Sequence, residues 1–195
     1  MFGKISFLTG TLFLILVALI GGVVIYFVYD ASLNEITRIN QIYAKTKETI
    51  AVDVYFCHSG PGEAQSCECD SPVSRRITSS PNMKIVATAA INKFLESPTV
   101  KEKEEGYSSG IPTKEQIASY KSATGKEIGD EIKLLGLTIE NSMATANFSE
   151  ELLAYGGSSC RAKSISSSIA NTLLQFSSIK GVKILVNNNP TSLQP

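Results

Sequence analysis

From Ile5 to Tyr29 the chain reads ISFLTGTLFLILVALIGGVVIYFVY, 25 residues without a charge. A helix buried in a soluble core is seldom so long and so uniformly apolar. Roughly 20 apolar residues suffice to cross the hydrocarbon of a bilayer, so the segment predicts a membrane span, crossing with some tilt. A cleaved signal has an apolar region of only about 7–15 residues and a small-residue cleavage site, and neither is found here. No cysteine follows the run at a place that would carry a lipid anchor. The reading is an uncleaved signal anchor at 5–29 behind a cytoplasmic stub, 1–4. The α-amino group and Lys4 precede the span, while Asp30 and Glu35 follow it. The positive-inside rule then places the N-terminus in the cytoplasm and the remaining chain outside it.

Cysteine usage agrees with that placement. The four cysteines are Cys57, Cys67, Cys69 and Cys160, and an even count outside the cytoplasm predicts disulfides. The competing reading is a metal site, because His58 lies near three thiols. The spacing is not that of paired C-x₂-C ligands, so no metal and no cofactor is expected. The formal charge of zero gives no field to attract nucleic acid, and none is expected as a partner.

Residues 30–49 are polar, with Leu33, Ile36, Ile39 and Tyr43 at helical spacing, and read as a stalk. A domain follows over 50–188. IAVDVYF at 50–56 alternates and reads as a strand, 58–65 as a loop, and 72–78 as a short edge strand interrupted by Arg75 and Arg76. A helix is predicted over 80–97, capped by Ser80 with Pro81 in its first position. Its apolar stripe is Met83, Val86, Ala87, Ala90, Ile91 and Phe94. KEKEE at 101–105 reads as a solvated helical turn. Residues 113–133 look like an insertion with a short helix around 114–120.

A hairpin is predicted next, with Leu135, Leu137 and Ile139 alternating on one strand and Ala144, Ala146 and Phe148 on the other. Residues 140–142 turn it. A second helix starts at Ser158 or Ser159 and buries Ala162, Ile165, Ile169, Leu173 and Phe176. A strand follows Gly181, and 189–195 read as a polar tail. The pattern is α+β: a mostly antiparallel sheet with two helices packed on one face.

Three stretches resemble the GerMN domain of spore-germination and sporulation proteins: ATAAINKFLESPTVKEKEEGY, LLGLTIENSMATANFSEEL and LLQFSSIKGVKILVN. The resemblance rests on the helix ending in Ser97-Pro98-Thr99 and on Gly106 through Ile111-Pro112. It rests also on the second hairpin strand with Ala144, Ala146, Phe148, Ser149, Glu151 and Leu152. It implies an envelope-facing, non-enzymatic domain of ring-building-motif type that works through protein–protein contacts. It also implies a bridge from Cys69 (or Cys67) to Cys160, taken as Cys69–Cys160, with Cys57–Cys67 as the second.

Candidate chemistry concentrates at 146–161. Gly156, Gly157 and Ser158 precede a helix, where backbone amides can hold an anion; the Lys-Ser/Thr of a Walker loop is missing. The plainer reading is a turn and a cap. Cys160 at a helix N-terminus beside Arg161 has the setting of an activated thiol but lacks a base. Glu150 and Glu151 resemble an acid/base pair, yet neighbours on a strand point to opposite faces, and both are expected to be solvated. Asn147-Phe148-Ser149 is a glycosylation sequon in form, discounted because Phe148 should be buried. Arg75 and Arg76 could meet an acidic wall polymer. No catalytic residue is assigned. The expected function is a membrane-anchored envelope protein whose domain contacts other envelope proteins or further copies of itself. The alternatives are a cell-wall-binding module and, third, an envelope hydrolase.

Overall fold

The computed structural model describes residue 22 and residues 25–38, 48–60 and 67–195. They divide into two units that meet at residues 47 and 48. In the first, residues 25–38 form an exposed helix, α1. Most of the predicted span lies outside the described residues, as do Ile39 and Tyr43 of the predicted stalk. Among the described residues no helix is long and apolar enough to cross a membrane.

The second unit begins with β1 (Thr49–His58), whose alternation buries Val52, Val54 and Phe56 on one face. It pairs antiparallel with β2 (Ser71–Thr78) in the register Phe56↔Ser71 through Thr49↔Thr78. As expected, β2 is an edge. The first long helix, α2 (Met83–Leu95), buries Val86, Ala87, Ala90, Ile91 and Phe94. Asn82 caps it, accepting from the Lys84 amide at 3.0 Å, rather than Ser80. The Ser80 hydroxyl instead accepts from the Asn82 amide, and Pro81 lies before the helix.

Two short helices follow, each started by a complete capping box. In α3 (Val100–Glu104) the box is Thr99 with Glu102, and in α4 (Lys114–Thr124) it is Thr113 with Gln116. Between them β3 (Tyr107–Ser108) adds to the end of β1 through Cys57↔Ser108 and His58↔Tyr107. Gly106 is required here: its φ is +96° and a Cβ would run into the Ser59 carbonyl.

The hairpin β4 (Leu134–Glu140) and β5 (Met143–Phe148) turns through Asn141 and Ser142 at φ 50° and 63°, the left-handed pair a two-residue turn demands. A bulge between Leu134 and Gly136 breaks the alternation. Leu137 is buried but Leu135 is 52% exposed, which corrects the predicted apolar face at that residue. A 3₁₀ segment (Glu150–Tyr155) leads to the second long helix, α5 (Ser159–Leu174). Ile165, Ile169, Leu173 and Phe176 are buried as predicted, while Ala162 is half-buried.

The strand after α5, β6 (Gly181–Val186), pairs parallel with β5. The expected single, mostly antiparallel sheet is thus two sheets, β2-β1-β3 and a mixed β4-β5-β6-β7, the last strand being Asn189–Pro190. A helix between two strands supplies the long crossover a parallel pair needs. The predicted polar tail is also corrected. Leu193 is fully buried in the core, and the Gln194 amide bonds both backbone groups of Ile184. The two long helices pack on each other and on both sheets: α2 on β1, β2 and β4, and α5 on β1 and β6.

Candidate functional site

The segment that joins α2 to α4 builds one side of an open cleft of about 960 Å³. Ser97, at φ 63°, turns the chain out of α2 into Pro98. Thr99 then caps α3, whose Glu102 does two things at once. It accepts from the Thr99 amide at 2.8 Å and takes both guanidinium nitrogens of Arg75 at 2.7 Å. The two side chains are only 14% and 16% exposed. The hydrogen bond from Arg75 is the main reason the Glu102 carboxyl is held at about 2. With α3 fastened to β2, the Gly106–Pro112 loop is set beside the end of β1.

Arg161 holds that loop from the other side. Its guanidinium donates to the Gly110 carbonyl at 2.7 Å, the Ile111 carbonyl at 3.1 Å and Gln116 Oε1 at 2.7 Å. Burial pulls the Arg161 guanidinium below its ordinary value. Gly110 lets the loop approach α5, because a Cβ there would press on Ser164 and Ile165. The floor of the cleft is apolar, with Leu95, Tyr107, Ile111, Ile117, Ile132 and Leu134, and Ser97-Pro98 and Pro112 also line it. The first of the three stretches that carried the resemblance therefore forms one wall, and the second reaches the cleft through Leu134.

The opposite wall is residues 130–134, and the carboxylates of the 150–151 pair hold the segment that leads to it. Glu150 pairs with Lys126, and Glu151 accepts from the Gly129 amide. Glu151 is 5% exposed and its Oε2 is buried without a partner, which corrects the expectation that both acids are solvated. Ile117 of α4 is buried and Arg161 reaches Gln116, so the 113–133 insertion is fastened to the domain.

The other predicted site residues are scattered. Cys57 bonds Cys69 and Cys67 bonds Cys160. All four are thus in disulfides, but not in the expected pairs Cys69–Cys160 and Cys57–Cys67. The reason is the hairpin register. Phe56 opposite Ser71 brings Cys69 beside Cys57, and Cys67 is left to meet the first turn of α5. Cys160 therefore carries no free thiol, which removes the nucleophile reading. His58 lies against Tyr107, ring centroids 4.7 Å apart, with Nε2 at 3.0 Å from the Glu105 carbonyl. Among the described residues no group of three or more His, Cys, Asp or Glu side chains converges as a metal site.

Arg75 is engaged by Glu102, and Arg76 reaches the Thr49 hydroxyl at 3.1 Å. The wall-polymer surface therefore loses its first arginine. Gly156 and Gly157 take φ 83° and 75° and make an exposed turn. Ser158 is the cap of α5 without a side-chain hydrogen bond. Gly157 and Ser159 line a second cleft of about 740 Å³ beside α5. The sequon side chain Asn147 is spent on Asn188, donating at 2.9 Å and accepting at 2.8 Å. Sequence reasoning missed the main cleft and Arg161's grip on it; the capping boxes at Thr99 and Thr113 were the legible signals.

Together these elements define a disulfide-bonded α+β domain with an open, apolar-floored cleft. Residues 53–192 match the family described as Germane, sporulation and spore germination, and the chain belongs to that family. Similar solved structures include the tandem GerMN domains of the sporulation protein GerM from Bacillus subtilis. The identity is 19% over 77% of this chain and 42% of that one, with a TM-score of 0.49. A putative lipoprotein from Clostridium perfringens is 20% identical over 75% and 80% of the two chains, with a TM-score of 0.44. The first GerMN domain of GerM alone is 18% identical over 73% and 86%, with a TM-score of 0.45. This chain thus spans less than half of the tandem-domain protein. No curated protein matches it.

Proposed function

We propose that this protein is a single-pass membrane protein of the cell envelope, N-terminus in, whose GerMN domain is a non-catalytic interaction module outside the cytoplasm. The observation that carries the reading is the pair of disulfides in the domain behind a 25-residue uncharged segment. Disulfides persist in oxidising compartments and are rare in the cytoplasm, and the segment is long enough to anchor the domain there. The fastened cleft supports the second half of the reading. It is open, apolar at its base and flanked by capped, cross-braced elements, which is what a preorganised docking surface requires.

The test is topology and contact together. The full-length chain is expected to stay in membranes washed at alkaline pH, and protease added to intact spheroplasts is expected to remove residues 48–195. Release by the wash, or protection of the domain, overturns the anchored reading. Photo-crosslinkers distributed over the domain surface in intact cells are expected to trap a protein partner; no adduct from any position overturns the interaction reading.

A further inference from the structure

Among the described residues, an unpaired strand edge and two lysines outside the salt bridges lie on the same cleft. Asp53 and Tyr55 of β1 direct their backbone groups away from β2, as their bonds to Gln175 and Thr172 record. Cys57, two residues on, directs its groups the same way, toward β3, and the Ser59 amide continues the ladder to the Gly106 carbonyl. In an antiparallel pair the bonding alternates residue by residue. Gly106 and Ser108 therefore face β1, while Tyr107 turns its N–H and C=O outward and the Ser109 N–H, on the peptide whose carbonyl faces β1, points the same way. Both residues line the cleft, and among the described residues neither makes a backbone hydrogen bond on that side. An unpaired edge of this kind is a template for another strand.

The charges on the cleft are unequal in a second sense. Its three carboxylates are all paired: Glu96 with Lys93, Asp130 with Lys121 and Glu131 with Lys114. Lys103 and Lys133 also line it and are exposed, and neither is in an ion pair among the described residues.

Building on the reading of this domain as an interaction module, we propose that the cleft receives an extended, acidic peptide segment of a partner protein. The segment pairs with the outward edge at Tyr107 of β3 and at the Ser109 amide that follows it. Its apolar side chains lie on the Leu95, Ile111 and Ile132 floor, and its carboxylates meet Lys103 and Lys133. This is strand addition, in which the main chain supplies affinity and the alternate side chains supply choice.

The probe is a capped hexapeptide of alternating valine and glutamate, with the valine–lysine hexapeptide and an N-methylated valine–glutamate hexapeptide as controls. Each is titrated against the detergent-solubilised full chain. The acidic peptide is expected to bind, to slow hydrogen exchange at the Tyr107 and Ser109 amides, and to weaken with added salt. K103E and K133E are each expected to weaken it by roughly fivefold, and N-methylation is expected to remove binding. Equal binding of the basic peptide, full binding of the N-methylated one, or unchanged exchange at those two amides overturns the proposal. In cells, a crosslinker at Ser109 is expected to trap a partner of a different mass. Adducts from Leu174 or Met143 but none from Ser109 overturn the cleft while leaving the interaction module standing. A Ser109 adduct of twice the chain mass overturns the partner class in favour of a second copy.

Discussion

Two arginines show how a single side chain is committed by its surroundings. By sequence Arg75 suits contact with an acidic polymer; its fork instead closes on Glu102, with its guanidinium carbon 5.8 Å from the centre of the Phe56 ring. Glu102 sits at about 2 in the folded chain against an ordinary 4.5. A depressed carboxyl stabilises above its unfolded value and loses that contribution as pH falls through its folded value. Urea unfolding is therefore expected to lose about 2 kcal/mol between pH 4.5 and pH 2 from this group. Arg75→Met should flatten that part of the profile, and an unchanged slope would refute the assignment. Arg161, in the sequence only a charge beside Cys160, satisfies two carbonyls and a glutamine of the cleft wall. Arg161→Ala is expected to cost about 2 kcal/mol in denaturant unfolding and to speed exchange across 110–117, with far smaller changes in β6.

At the scale of elements, two glutamines stand in for strands. Among the described residues no strand neighbours the edge of β1 at Asp53; the Gln175 amide donates to its carbonyl at 2.6 Å and accepts from its N–H at 2.9 Å. Gln194 does the same for Ile184 of β6. A buried strand edge must be satisfied by something, and a primary amide has the donor and acceptor to do it. Gln175→Leu should leave both Asp53 groups unmet, costing about 1–3 kcal/mol and accelerating exchange at the Asp53 amide. If neither changes, Gln175 is not closing that edge. Periodicity could not announce this, because a glutamine between Leu173 and Phe176, at the C-terminal end of α5 and off its apolar stripe, looks like surface. The same limit explains Leu135: alternation assigns it inward, and one extra residue at the bulge turns it out.

The whole domain is tied by two disulfides in unlike settings. Cys57 and Cys69 are fully buried, whereas Cys67 and Cys160 are partly exposed. Thiol–disulfide exchange needs access to sulfur as well as a reactive thiolate. Limited reductant applied to the folded chain is therefore expected to free Cys67 and Cys160 first, read by alkylation and mass spectrometry. Release of Cys57 and Cys69 first, or of all four together, would contradict these two environments.

Features encoded within one element or a short stretch are legible in the residues themselves. The uncharged run at 5–29, the alternation of β1, the stripes of α2 and α5, the Asn-Ser turn of the hairpin and the GerMN resemblance are all of this kind, since each follows from a local period or residue type. Other features depend on which distant segments meet, and the fold sets them. The register of β1 on β2 chose the partner of Cys57. The crossover through α5 made β6 parallel to β5. Loops braced by Glu102, Arg161 and Glu151 opened the cleft between residues 95–112 and 130–134. Those outcomes rest on contacts between residues far apart in the chain, and such contacts leave no periodic trace in the residues that make them.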